Sequence, residues 1–266
     1  MPAIRLTELS IYPIKSARGI SLASAQVTDQ GLRYDRRWMV VDENGSFLSQ
    51  RKLPRMALIA VELASDHLVV RAPGMNDLRL PLQPQSSSTA RVKIWDDTVE
   101  ALPTGEDSGR WFTKYLGLPC NLVYMPRTAH RTVKPKYGKS RVTFVDAFPF
   151  LLISEESLND LNSRLEKPVP MNRFRPNLVV SGCRPYEEDD WCEIRIASVN
   201  FRFAKACARC SIPSVDQATG VQGNEPIETL AKYRLREGRI LFGQNAIHDG
   251  TGVLAVGDRV EVVTRR

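Results

Sequence analysis

The sequence predicts a mainly β protein with a few helices, an α+β chain made of two β-barrel-like units. Three observations carry that expectation. Short runs alternating apolar and polar residues recur along the chain, beginning with AIRLTELSIYPI. Turn signals such as Asn44-Gly45 in WMVVDENGSFLSQR separate them. Helical periodicity is confined to three short stretches, and strand-rich chains of 266 residues form barrels or sandwiches rather than βαβ layers.

In chain order, LIAVELASDHLVVRA and RVKIWDDTVEAL repeat the hairpin pattern of the opening runs. DSGRWFTKYLG reads as a helix, because Trp111, Phe112, Tyr115 and Leu116 share a face and Gly117 can close its end. CNLVYM returns to strand. FPFLLIS then leads into SEESLNDLNSRLE, a helix capped by Ser154 with Leu158, Leu161 and Leu165 on its apolar side. NLVVSG is a strand, and CEIRIA and FRFAKA are strands joined at Ser198-Val199-Asn200. PIETLAKYRL is a short helix with Pro226 at its start. ILFGQNAI and GVLAVGDRVEVV are strands again. The least structured stretch, near 126 to 140, sets a boundary between units 1–125 and 126–266.

Composition narrows the function classes. Apolar residues at 42% and charged residues at 25% describe an ordinary globular chain. The N-terminus carries no apolar h-region, and no run approaches the roughly 18 to 20 apolar residues that span a bilayer. Five cysteines, an odd and scattered number, suit a reducing compartment. These features predict a soluble cytoplasmic monomer with no membrane contact. The net charge of +7 is spread out, apart from RTAHRTVKPKYGKSR between Arg127 and Arg141. That run interleaves only Tyr137 as an aromatic platform, so no nucleic-acid binding is expected from it.

The stretch KACARCSIPSVDQATG holds the only closely spaced cysteine pair, Cys207 and Cys210. A redox disulfide would need a helix to start at the pair, and SIPSVD with Pro213 does not start one. Zinc would need Cys183, Cys192, Cys207 and Cys210 together, and only one of those pairs has the short spacing of zinc knuckles. His67, His130 and His248 each stand alone. What remains foremost is a single thiolate acting as a soft metal ligand, with Arg209 beside it to favour the ionised form. A cofactor bearing a phosphate would then be held by Lys, Arg, Ser and backbone N–H groups. Such residues stand at Lys15 and Ser16 in IYPIKSARG, at Arg36 in YDRRW, and at Arg175 and Asn177 in NRFRPN.

The order YPIKS, GLRYDRRW, SRLE, NRFRPNLVVSG, CARCSIPSVDQATG, LFGQN, VGDRVEV resembles the molybdenum cofactor sulfurase C-terminal (MOSC) family with its N-terminal β-barrel domain. Within it, the chain is similar to the mitochondrial amidoxime-reducing component and to bacterial proteins that reduce N-hydroxylated compounds. The resemblance implies a molybdenum cofactor (Mo-molybdopterin) with Cys210 as the protein's metal ligand, and an oxidoreductase acting on amidoximes, hydroxylamines or hydroxylaminopurines. It implies that Lys15, Ser16 and Arg36 hold the pterin and its phosphate from the first unit, and Arg175 and Asn177 from the second, with the cofactor in the cleft between them. Electrons would come from a separate protein such as a ferredoxin, a cytochrome b5-like protein or a flavoprotein reductase, with the basic rim 127–141 as one docking place. Asp146 is the nearest candidate for a proton donor and equally a brace for the strand after it. Asp216 and Thr219 would shape the turn that presents Cys210. Two departures stand out: Gln217 replaces a proline common in the family, which loosens the loop, and Ala147 replaces a hydroxyl residue, which removes one hydrogen bond to the cofactor. A carrier of molybdenum cofactor or sulfur without turnover is the alternative reading.

Overall fold

The computed structural model describes residues 3–266. Strands account for 41% of the chain, and the α-helices are three. The largest sheet has nine strands, and its ladder runs Val260–Arg265, Trp191–Ile196, Val199–Ala208, Arg239–Asp249, Phe150–Ser154, Leu178–Ser181, Arg5–Ile11, Ile20–Ser21, with Leu235–Arg236 added beside Arg239–Asp249. The only parallel neighbours in that ladder are Phe150–Ser154 and Leu178–Ser181. A parallel pair needs a long crossover, and here that connection carries the helix Glu155–Asn162. Ser154 caps that helix by accepting from the Ser157 N–H at 3.1 Å. Three smaller sheets, of four, three and three strands, complete the β structure. Every ladder is an open path, so no closed barrel forms among the described residues.

The helices follow their sequence signals. Glu106–Leu116 buries Trp111, Phe112, Tyr115 and Leu116 and ends at Gly117, which has a φ of 76°. Leu165 lies beyond the end of Glu155–Asn162 and packs from the following loop. Ile227–Tyr233 has Pro226 at its N-cap. The hairpin after Trp191–Ile196 turns one residue earlier than the sequence suggests, at Ala197 and Ser198, because Ala197 takes a φ of 51°. The last predicted strand is two, Gly252–Ala255 and Val260–Arg265, divided where Gly257 takes a φ of 97°.

The two ends of the chain interleave. Arg5–Ile11 runs antiparallel to Leu178–Ser181, and Gly252–Ala255 runs antiparallel to Ser24–Thr28. One apolar core therefore mixes Leu6, Leu9 and Ile11 with Phe150, Leu178, Trp191 and Phe201. A second core, with Trp38, Val40, Phe112 and Leu122 at its centre, belongs to the four-stranded sheet and the first helix. The connections leaving these strands converge on one cleft.

Candidate functional site

The cleft encloses a cavity of about 180 Å³. Its walls bring together Lys15, Ser16, Arg36, Asp146, Arg175, Asn177, Arg209 and Cys210, which come from five separate regions of the chain. All eight stand at ends or breaks of strands, where the backbone leaves the ladder and side chains can turn inward.

Backbone strain concentrates here. Ser16, Arg36 and Arg175 have φ values of 67°, 47° and 58°, in the left-handed region that costs a non-glycine residue about 1–2 kcal/mol. Each is held in place by its surroundings. The Ser16 carbonyl accepts from Gln50 Nε2 at 2.8 Å. Arg36 donates its backbone N–H to the Tyr12 carbonyl and accepts from the Phe144 N–H. Arg36 and Arg175 lie on the Tyr12 ring at 4.1 and 4.3 Å from its centroid, and the Tyr12 hydroxyl donates to the Pro176 carbonyl at 2.9 Å. Gly19 allows the ring that position, since a Cβ there would come within 2.5 Å of Tyr12 Cε1.

The arginines differ in how far the protein satisfies them. Arg36 donates to Asp35, to Asn177 Oδ1 at 3.1 Å and to the Arg175 carbonyl at 3.3 Å. Asn177 also donates to the Ser10 carbonyl at 3.1 Å, so its amide braces Arg36 and the first strand. The Arg175 guanidinium, on a residue only 9% exposed, makes no hydrogen bond or ion pair among the described residues. Burial, opposed by Tyr12, lowers its pKa to about 10. A buried cation facing a cavity without a counter-charge suits an anionic group.

Lys15 is 5% exposed and donates to the Phe144 carbonyl at 2.9 Å and to Asp146 Oδ1 at 2.5 Å. Burial pulls its pKa down to about 8 against the pull of Asp146. Asp146 also accepts from Arg51 at 2.8 Å and from Trp95 Nε1 at 3.2 Å. Its surroundings resist a charge, but Lys15 and then Arg51 outweigh that and hold the carboxyl well below the usual carboxylate range. As an acceptor shared by three donors, Asp146 ties Lys15, Arg51 and Trp95 together at the cleft wall.

Cys210 follows the Val199–Ala208 strand and is half-buried in the wall. Arg209 turns away from it, donating to Cys207 Sγ at 3.2 Å and to the Phe174 carbonyl at 2.9 Å. Arg51 lines the same wall as Cys210 and is tied to Asp146. Sequence reasoning missed Arg51, which ends the strand-like run GSFLSQR with no local sign that it turns inward. Among the described residues no three His, Cys, Asp or Glu side chains gather as a metal ligand set; the cleft wall carries two thiols, Cys207 and Cys210, and Arg209 engages Cys207. Asp216 accepts from the Ala218 and Thr219 N–H groups at 2.9 Å and from Arg173 at 2.9 Å, which fixes the turn after Cys210. Gln217 is buried and pairs with Gln50, so this position ties the loop down where a loosened loop was expected.

Comparison with known proteins bears on this arrangement. Residues 3–119 match the MOSC N-terminal beta barrel domain, and residues 139–261 match the MOSC domain. Mitochondrial amidoxime-reducing component 1 of Mus musculus is 38% identical over 275 residues, covering 96% of this chain and 81% of that protein. The chain belongs to the MOSC family. Within the family, mitochondrial amidoxime reducing component 2 of Rattus norvegicus is 38% identical over 96% of this chain and 82% of its own. Mitochondrial amidoxime-reducing component 1 of Homo sapiens is 37% identical with the same coverage. These MOSC relatives are named as mitochondrial, which overturns the cytoplasmic location inferred from composition and cysteine usage. No described helix is long and apolar enough to cross a membrane.

Proposed function

We propose that this MOSC protein is a molybdenum-cofactor-dependent oxidoreductase that reduces N-hydroxylated substrates such as amidoximes, hydroxylamines or hydroxylaminopurines, with electrons from a separate donor protein. The observation that carries the reading is one cleft holding Cys210, with Cys207 in the same wall and engaged by Arg209, and five cations, Lys15, Arg36, Arg51, Arg175 and Arg209, against only Asp146 in the wall and Asp35 behind Arg36. That excess of positive charge fits an anionic cofactor, and a thiol with no metal ligand set around it among the described residues fits a metal that brings its other ligands with it. The matches to both MOSC domains and the names of the relatives support it. The reading takes residues 1–125 as the N-terminal domain and 126–266 as the MOSC domain, with the cleft between them.

When bound, the molybdenum cofactor supplies a two-electron reductant able to take the hydroxyl oxygen from nitrogen. Cys210 is its protein ligand. Lys15, the Ser16 hydroxyl and the unpartnered Arg175 guanidinium receive its anionic end. Asn177 acts through Arg36, which it holds in place. Arg51 adds a further cation to the wall that carries Cys210. Asp146 would act as a brace that holds Lys15 and Arg51 inward toward the bound cofactor.

The test is purification from a host that makes molybdopterin, elemental mass spectrometry for molybdenum, and reduction of benzamidoxime by reduced methyl viologen, with Cys210→Ser alongside. Near-stoichiometric molybdenum and turnover, both lost in the variant, are expected. Bound molybdenum without turnover would favour a carrier of cofactor or sulfur, and molybdenum retained fully by Cys210→Ser would overturn the ligand assignment.

A further inference from the structure

Adjacent arginines in YDRRW serve opposite sides of the molecule. The left-handed turn at Arg36 sends its side chain into the cofactor cleft, while Arg37 points into a second cavity of about 410 Å³. The two spaces share a wall. Thr143 lines the second cavity, and Val145 and Asp146, two and three residues on, line the cleft.

Arg37 is 7% exposed and has no carboxylate partner among the described residues. It donates to Gln30 Oε1 and, at 3.3 Å, to the Tyr124 hydroxyl, with its guanidinium 5.1 Å from the Tyr124 ring centroid. Both partners are neutral. Gln30 and Thr143 are themselves nine-tenths buried in the cavity wall, and Gln30 Nε2 and Thr143 Oγ1 have no hydrogen-bond partner. Buried polar groups are paired in nearly all native structures, so an uncompensated cation beside two unpaired polar atoms marks a place built for a group not yet bound.

The rim adds to the charge. Arg33 and Arg127 are exposed at the edge and make no ion pair among the described residues. The cavity's one carboxylate, Asp29, is taken by Arg141 at 2.7 Å. Three guanidinium groups with two neutral polar groups suit an oxyanion with several terminal oxygens, which a phosphate monoester offers and a single carboxylate does not. The space is far larger than a phosphate ion. Leu32, Leu102 and Tyr34 give it an apolar side for an organic body.

We propose that this second cavity is a binding site for a small phosphate monoester, with the phosphate on Arg37, Arg33 and Arg127 and the organic body against Tyr34 and Leu102. It is separate from the cofactor site and independent of the function proposed above.

The experiment is titration calorimetry of the purified cofactor-loaded protein with adenosine 5′-monophosphate, inorganic phosphate, adenosine and citrate as probes. The variants are Arg33→Ala/Arg127→Ala, whose exposed side chains put the fold at little risk, Arg37→Gln, and Arg175→Gln as the control for the cleft. The nucleotide and inorganic phosphate are expected to bind, adenosine is not, and affinity should fall at least tenfold in the rim double variant and in Arg37→Gln. Arg175→Gln should leave it unchanged, and the rim variant should keep its reductase activity. Unchanged affinity in the rim variant, loss in Arg175→Gln, equal binding of adenosine, tighter binding of citrate than of the nucleotide, or no heat with either phosphate probe would each overturn the proposal.

Discussion

Gln50 and Gln217 form a reciprocal amide pair across 167 positions of sequence: Gln50 Nε2 donates to Gln217 Oε1 at 3.2 Å, and Gln217 Nε2 donates back at 3.0 Å. Both side chains are buried, and Gln50 also holds the strained Ser16 carbonyl. The pair thus fastens the loop that carries Cys210 to the turn that carries Lys15 and Ser16. Gln217→Ala leaves buried amide atoms of Gln50 unsatisfied and is expected to cost about 1–3 kcal/mol in urea unfolding. In a double-mutant cycle with Gln50→Ala the two costs should be less than additive, and simple additivity would show that the pair does not couple the segments.

Lys15 predicts a pH dependence with a definite sign. Its folded pKa is about 8, against an ordinary 10.5. The unfolded chain therefore binds more protons between those values, and this residue's contribution makes the protein more stable as pH rises from about 8 to 10.5. Anion binding runs the other way, because only the protonated amine attracts phosphate. The affinity of cofactor-free protein for inorganic phosphate should fall as pH rises through about 8, and Lys15→Met should remove that step.

Asp146→Asn tests the brace. Without the carboxylate, Lys15 loses the charge that raises its pKa, and Arg51 loses its ion pair. The phosphate-affinity step is expected to move below pH 8. A step that stays in place would mean that the Lys15–Asp146 contact does not set the amine's charge.

Arg209→Lys keeps the charge but not the fork that spans Cys207 Sγ and the Phe174 carbonyl. Losing one such bond, worth about 1 kcal/mol, should speed amide hydrogen exchange in residues 209–216 roughly fivefold. Exchange at the wild-type rate would show that the loop is held by Asp216 and Gln217 alone.

Features encoded within a few residues were legible in the sequence. Gly117 after an apolar helical face, Ser154 before one, and Lys15, Arg36 and Arg175 beside Pro or an aromatic all announce themselves locally. Arg51 does not, because what turns it inward is a carboxylate 95 residues away. The same holds for Gln217, whose meaning depends on Gln50, and for Arg209, whose nearest thiol proves to be Cys207 rather than Cys210. Barrel closure was over-read for a related reason. Alternation specifies that a segment pairs, but not which partner it takes, and here the first and last strands take each other's neighbourhoods.

That interleaving puts a delay into the birth of the molecule. The Arg5–Ile11 strand is made long before its partner segment, which begins at Leu178, and the Leu6 N–H and Ile4 carbonyl wait longer still, for Asp258 and Val260. Until Leu178–Ser181 has been made, the Arg5–Ile11 strand has only its short pairing with Ile20–Ser21, and Leu6, Leu9 and Ile11 lack most of the core that covers them. Synthesis of Leu178–Ser181 and Val260–Arg265, rather than emergence of the first unit, is therefore the event that lets the opening strand complete its pairing.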